Sequence, residues 1–74
     1  MTQVTLGEKI RRMRKRLNLT QQELAGDDFT KSFISQLEKN EANPSLKSLQ
    51  IIAQRLNKPI SFFLEDEIAP PIRE

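Results

Sequence analysis

The chain contains no cysteine, histidine, tryptophan or tyrosine. Without cysteine it can form neither disulfide bonds nor zinc sites with thiolate ligands. In enzymes, most general bases, nucleophiles and metal ligands come from the residue types that are absent here. The composition therefore predicts no enzyme, no cofactor and no metal. Asp27 and Asp28 form a tight carboxylate pair, but adjacent acids in a turn are usually solvated or capping groups. We therefore expect no active site there.

Long apolar runs are also missing. No segment approaches the length of a membrane span, and the polar N-terminus lacks the apolar stretch of a signal peptide. We therefore expect a cytoplasmic protein with no membrane partner. Strand signals are weak, because no segment alternates apolar and polar residues and valine occurs once. The length of 74 residues permits one small domain with a single core.

Two short helices in succession are predicted over residues 20–38. Thr20 and Glu23 have the spacing of a capping box, in which each side chain binds the other residue's backbone N–H. The segment Gly26 to Phe29 does not easily continue a helix, and Thr30 offers a second N-cap. This pattern is typical of any helical hairpin, and also of the unit that places a helix in the DNA major groove.

Three further helices are predicted from apolar residues at helical spacing. The first has Thr5 as N-cap, with Glu8 completing a second capping-box pattern, and Asn18 just beyond its end. The fourth begins after Ser45 and ends at Asn57, and a short fifth covers Ile60 to Leu64. The chain should thus be all-α with five helices. The expected core is Leu6, Ile10, Met13, Leu17, Leu19, Leu24, Ala25, Phe29, Ile34, Leu37, Leu46, Leu49, Ile52, Ala53, Leu56, Ile60, Phe63 and Leu64.

Residues 1–66 are predicted to form the domain, and residues 67–74 a tail or linker, because two consecutive prolines follow a segment without periodicity.

Charge is uneven along the chain. Residues 1–40 carry eight bases and five acids, and six of these bases fall within residues 9–16. Such clustering is typical of a surface that faces phosphates, although a solvated helix face can look the same.

The ordered set of residues from Thr20 onward carries a family resemblance. Its members are Thr20-Gln21, Glu23-Leu24-Ala25, Ser32, Ile34-Ser35-Gln36-Leu37-Glu38, Asn43-Pro44-Ser45-Leu46, Leu49, Ile52-Ala53 and Leu56. With the flanking helices, from Leu6 to Leu64, the chain resembles the Cro and phage-repressor type (Xre-like) helix-turn-helix family. The resemblance implies a compact lambda-repressor-like fold. The chain departs from the family between Ala25 and Ile34, where it is one residue shorter than the commonest pattern.

The third helix, about residues 30–39, is the expected recognition helix. Ile34 and Leu37 should face the core, so the polar residues on the opposite side are Lys31, Ser32, Ser35 and Gln36. These side chains can pair with base edges in the major groove, and the resemblance implies that they do. The alternative is a solvated helix surface. Phe33 either packs under the turn or contacts a thymine methyl group.

Contacts with the DNA backbone are expected from residues that can place cations or amides near phosphates. These are Gln21, Thr20, Arg11, Arg12, Lys39, Asn40, Asn43 and Ser45. In the family, the glutamine corresponding to Gln21 also braces the recognition helix. Glu41 replaces a lysine that is frequent in relatives. The resemblance further implies a partly buried ion pair between Arg14 and Glu38, which would fix the first helix to the third.

The expected function is sequence-specific binding of double-stranded DNA by a transcriptional regulator, which would act as a dimer on a palindromic operator. One alternative is a protein-interaction module of the antitoxin or anti-regulator kind. Another is the DNA-binding fragment of a longer, effector-sensing regulator.

Phe62 raises the question of self-association. It would contribute either to a weak homodimer, together with Ile60 and the start of the tail, or to packing against the first or fourth helix.

Overall fold

Five helices are present in the computed structural model, which describes residues 4–64. They are α1 (Leu6–Arg16), α2 (Gln21–Ala25), α3 (Lys31–Glu38), α4 (Leu46–Arg55) and α5 (Ile60–Leu64). The predicted all-α architecture is confirmed, and no strand occurs among the residues described. The predicted domain boundary after residue 66 and the tail at 67–74 lie outside the described residues. Within residues 4–64, no helix is both long and apolar enough to cross a membrane.

Hydroxyl side chains begin four of the helices. Thr5, Thr20, Thr30 and Ser45 each accept a hydrogen bond from the backbone N–H three residues later. At Thr20 the capping box is complete, because Glu23 Oε1 also accepts from the Thr20 N–H at 2.8 Å. The second capping box, predicted for Thr5 and Glu8, is incomplete, because the Glu8 carboxylate accepts from Arg12 Nε at 3.3 Å and not from the Thr5 N–H. The N-caps predicted from the sequence are therefore confirmed.

Asparagine follows the end of three helices in a left-handed backbone conformation. The φ angles are 60° at Asn18, 62° at Asn40 and 60° at Asn57. Asparagine tolerates this conformation better than most residues other than glycine, so it can end a helix without much strain. Asn18 and Asn57 were predicted to end helices, and Asn40 serves the same purpose after α3.

The core lies where the five helices meet and contains most of the predicted residues. Its buried members are Ile10, Met13, Leu24, Ala25, Ile34, Leu37, Leu49, Ile52, Ala53, Leu56 and Phe63. Five further predicted residues are partly buried against this core: Leu6, Leu19, Phe29, Ile60 and Leu64. The prediction was wrong for Leu17 and Leu46, which are 37% and 62% exposed. Leu17 lies at the C-cap, after the last turn of α1. Leu46 is the first residue of α4, and helical side chains lean toward the N-terminus, so it projects past the core.

The recognition helix predicted from the sequence, α3, is held from two sides. Its main packing partners are α1 and α2, while α4 packs against α2 and α5. Ile34 and Leu37 are the apolar residues of α3 that enter the core. This arrangement leaves the opposite face of α3 open to solvent.

Candidate nucleic-acid interface

Polar side chains occupy the open face of α3. Lys31, Ser32 and Gln36 are exposed, and Ser35 is half-buried. The helix begins at Thr30, whose hydroxyl accepts from the Phe33 N–H at 3.0 Å. The four residues predicted to contact bases are therefore on the surface rather than in the core.

A basic groove runs between α1 and α3, beside this face. Ser35 lies in the groove with three of the predicted contacts to the DNA backbone, Arg11, Gln21 and Lys39. Lys15, for which no role was predicted, also lines the groove, and it borders a second pocket beside Phe62 as well. Its spacing of four from Arg11 was the available signal, because residues four apart share a helix face. The other residues lining the groove are Glu8, Arg14 and Glu38.

A buried ion pair forms the floor of this groove. Arg14 donates from Nε to Glu38 Oε2 at 2.6 Å and from Nη2 to Oε1 at 3.1 Å. The Arg14 side chain is 11% exposed and that of Glu38 is 4% exposed. Gln21 Nε2 also donates to Glu38 Oε1, at 3.1 Å, and Arg14 Nη1 donates to the Leu19 carbonyl at 2.8 Å. One carboxylate thus connects α1, the start of α2 and the end of α3.

Two residues predicted to bind phosphates have partners within the protein. Arg12 is paired with Glu8 and lines a different pocket, together with Met13 and Phe62 on the side of α5. Asn40 Oδ1 accepts from the Gly7 N–H at 3.2 Å, and its Nδ2 donates to Thr5 Oγ1 at 3.0 Å. The Asn40 side chain thus connects the end of α3 to the start of α1.

The remaining predicted backbone contacts lie at helix starts or, for Asn43, in the loop before one. The Thr20 hydroxyl is occupied by its cap, and the Ser45 hydroxyl accepts from the Ser48 N–H at 3.1 Å. Gln21 is half-buried through its contact with Glu38, and Asn43 is exposed in the loop before α4. At Thr20 and Ser45, the groups left for a phosphate are the backbone amides of the following turn.

The two phenylalanines with open assignments both make contacts inside the chain. Phe33 stacks on Phe29 with ring centroids 5.4 Å apart, so it packs under the turn between α2 and α3. Lys9 Nζ on α1 lies 4.4 Å from the centroid of the Phe62 ring and donates to the Phe62 carbonyl. Phe62 also meets Phe63 edge to face. The contacts of Phe62 therefore match the predicted alternative of packing onto the first helix.

Comparison with known proteins identifies similar sequences and structures. The pattern of the helix-turn-helix family matches residues 10–63. The immunity repressor protein of Bacillus phage phi105 is 32% identical over 65 residues, which are 86% of this chain and 45% of that protein. Bacillus thuringiensis PlcR, solved in complex with the peptide PapR7 and DNA, is 35% identical with a TM-score of 0.83. That match covers 89% of this chain and 24% of PlcR.

Two more distant structures share the fold. The clp gene regulator ClgR of Corynebacterium glutamicum has a TM-score of 0.77 at 24% identity, over 82% of this chain and 66% of ClgR. Hydroxypropylphosphonic acid epoxidase of S. wedmorenis has a TM-score of 0.72 at 19% identity, over 96% of this chain and 44% of the enzyme. At such identities the likeness concerns the fold alone. The chain spans less than half of the phage repressor and about a quarter of PlcR.

Proposed function

Because the chain belongs to the helix-turn-helix family of DNA-binding regulators, we propose that it recognises a specific double-stranded DNA sequence by placing α3 in the major groove. In this role it regulates transcription without catalysis. The observation that carries the proposal is the exposed polar face of α3 beside a basic groove. A recognition surface needs both features, since base edges give specificity and phosphates give position and affinity.

Base recognition is assigned to Lys31, Ser32 and Gln36, with Ser35 at the edge of the groove. Lysine can donate to guanine O6 or N7, glutamine can form two hydrogen bonds with adenine, and serine can bind several base edges. The exposure of the first three residues supports this assignment. Helix α3 is held on its other face by α1 and α2, so these side chains are presented from a rigid support.

Phosphate binding is assigned to Arg11, Lys15 and Lys39, which line the groove next to α3. The exposed Asn43 and the first-turn amides of α4, after Ser45, offer a second site, because a helix N-terminus favours anions. Gln21 acts chiefly through Glu38, which it helps to hold in place.

We further propose that the protein acts in the cytoplasm as a repressor, which binds a palindromic operator as a dimer. The similarity to a phage immunity repressor supports repression rather than activation. A dimer with two recognition helices one helical turn apart would match the symmetry of such an operator.

Selection of binding sites from random duplexes tests the proposal. A single enriched motif with two inverted half-sites is expected. Affinity should fall as salt rises, both for the selected site and for random DNA, because phosphate binding releases counterions. A protein-interaction module would instead enrich no motif and show no salt-dependent binding to DNA, and that result would overturn the proposal.

A further inference from the structure

The turn between α2 and α3 is held by a residue far away in the sequence. Arg55, the last residue of α4, donates from Nη1 to the carbonyls of Leu24 and Ala25 at 2.9 and 2.7 Å. Its Nη2 donates to Asp28 within the turn. A single guanidinium group therefore binds both the end of α2 and the segment that leads into α3. We call this group of contacts the Arg55 clamp.

The clamp satisfies backbone groups that the short turn leaves available. The last carbonyls of a helix have no partner within it, and a cation near them is favourable. The Gln22 carbonyl accepts from the Gly26 N–H at 3.0 Å, and the Ala25 carbonyl from the Phe29 N–H at 3.1 Å. The Leu24 carbonyl receives its hydrogen bond from Arg55. Arginine suits this position because its planar group presents several donors in a fixed arrangement.

Gly26 makes room for the clamp. Its φ angle is 56°, in a region of backbone conformation that residues other than glycine rarely adopt. A Cβ atom at this position would lie 2.6 Å from Arg55 Nη1. The turn therefore favours glycine chiefly for its backbone conformation, and the absence of a side chain also leaves room for the guanidinium group.

We propose that Arg55 and Asp28 are positioning residues for DNA recognition, because they fix the direction in which α3 leaves the turn. The inference rests on the proposed function and deepens it. Neither residue lines the groove between α1 and α3. Both act through the backbone of the turn, which sets the place of Lys31 and Ser32 in the first turn of α3. Loss of the clamp should reduce specific binding more than binding to random DNA.

The test compares Arg55→Ala, Arg55→Lys and Asp28→Asn with wild type. Gln54→Ala is the matched control, because Gln54 is the exposed neighbour of Arg55 on α4. Affinities for the selected operator and for a random duplex are measured at a temperature where circular dichroism shows every variant folded. Arg55→Ala should lose about tenfold in operator affinity with little change on random DNA. Arg55→Lys should recover part of the loss, because lysine keeps the positive charge but lacks the planar group with several donors.

A second measurement uses the free protein. Hydrogen exchange at the Phe29 amide, followed by NMR, should quicken in Arg55→Ala and stay unchanged in Gln54→Ala, since the Phe29 N–H binds inside the clamped turn. An unchanged ratio of operator to random-DNA affinity in Arg55→Ala would overturn the inference, even if that variant were less stable. If wild type selected no operator, the proposed function would fail instead. Independently of DNA binding, unchanged exchange at the Phe29 amide in Arg55→Ala would show that Arg55 does not hold the turn, and this result would also overturn the inference.

Discussion

Arg14 in α1 and Glu38 at the end of α3 form a two-pronged ion pair, with nitrogen–oxygen distances of 2.6 and 3.1 Å. The pair is nearly inaccessible to solvent, and Gln21 adds a third hydrogen bond to the same carboxylate. It fixes α3 to the rest of the domain at the end opposite the Arg55 clamp.

Removal of either member of this pair should destabilise the domain strongly. Arg14→Ala or Glu38→Ala would leave a buried charge without its partner, which costs about 3–5 kcal/mol. Chemical denaturation of both single variants and the double variant would give the coupling energy. The exposed pair of Arg12 with Glu8 is the control, and its coupling should stay below about 1 kcal/mol. A coupling energy near zero between Arg14 and Glu38 would contradict the prediction.

Substitutions on α3 and in the groove should affect DNA binding differently. Lys31→Ala or Gln36→Ala should relax preference at one or two base pairs, at roughly 1–3 kcal/mol for each lost contact. Arg11→Ala or Lys15→Ala should weaken binding to all sequences alike and reduce the dependence on salt. Arg12→Ala should have a smaller effect on both properties, because Arg12 lines the pocket on the side of α5 and is paired with Glu8. The base-contact assignment fails if the α3 variants keep the full ratio of specific to random-DNA affinity.

Asn40 should matter for stability through its backbone conformation and its side chain together. Asn40→Ala removes the hydrogen bonds to Gly7 and Thr5 and forces alanine into a left-handed conformation, at a total cost of about 1–3 kcal/mol. Asn40→Gly should cost less, because glycine adopts a positive φ freely. The measurement is the free energy of unfolding in denaturant, with Asn43→Ala in the neighbouring loop as control. Equal stability of the wild type and both variants would refute this role.

Phe62 should contribute to folding rather than to self-association. Its ring is held by Lys9 and Phe63, so Phe62→Ser should lower the free energy of unfolding. Sedimentation at high micromolar concentration should show the same mass for the variant and the wild type. A wild-type dimer that the substitution dissolves would instead support the homodimer surface around Phe62 and Ile60.

Much of this architecture is determined by short segments of sequence. Thr20 with Glu23, and Thr30 three residues before Phe33, specify helix starts because a hydroxyl cap needs only its own first turn. The exposed face of α3 follows equally from the spacing of Ile34 and Leu37. Such features depend on neighbouring residues, so a sequence pattern is enough to predict them. The contact of Arg14 with Glu38 required the family resemblance, because 24 residues separate the two.

Only the tertiary structure decided which basic residues of α1 lie beside α3 and which lie toward α5. Arg11 lines the groove beside α3 and Arg12 lies toward α5, whereas Lys15 borders both, because the packing of α1 between these two helices determines which side of α1 faces α3. The same holds for Arg55, whose partners lie 27 to 31 residues earlier in the chain. No local spacing indicates that contact, since it exists only when α4 has packed against α2. The sequence alone thus determined the helices and the polar face of α3, and the packing decided which charged residues and which turn contact α3.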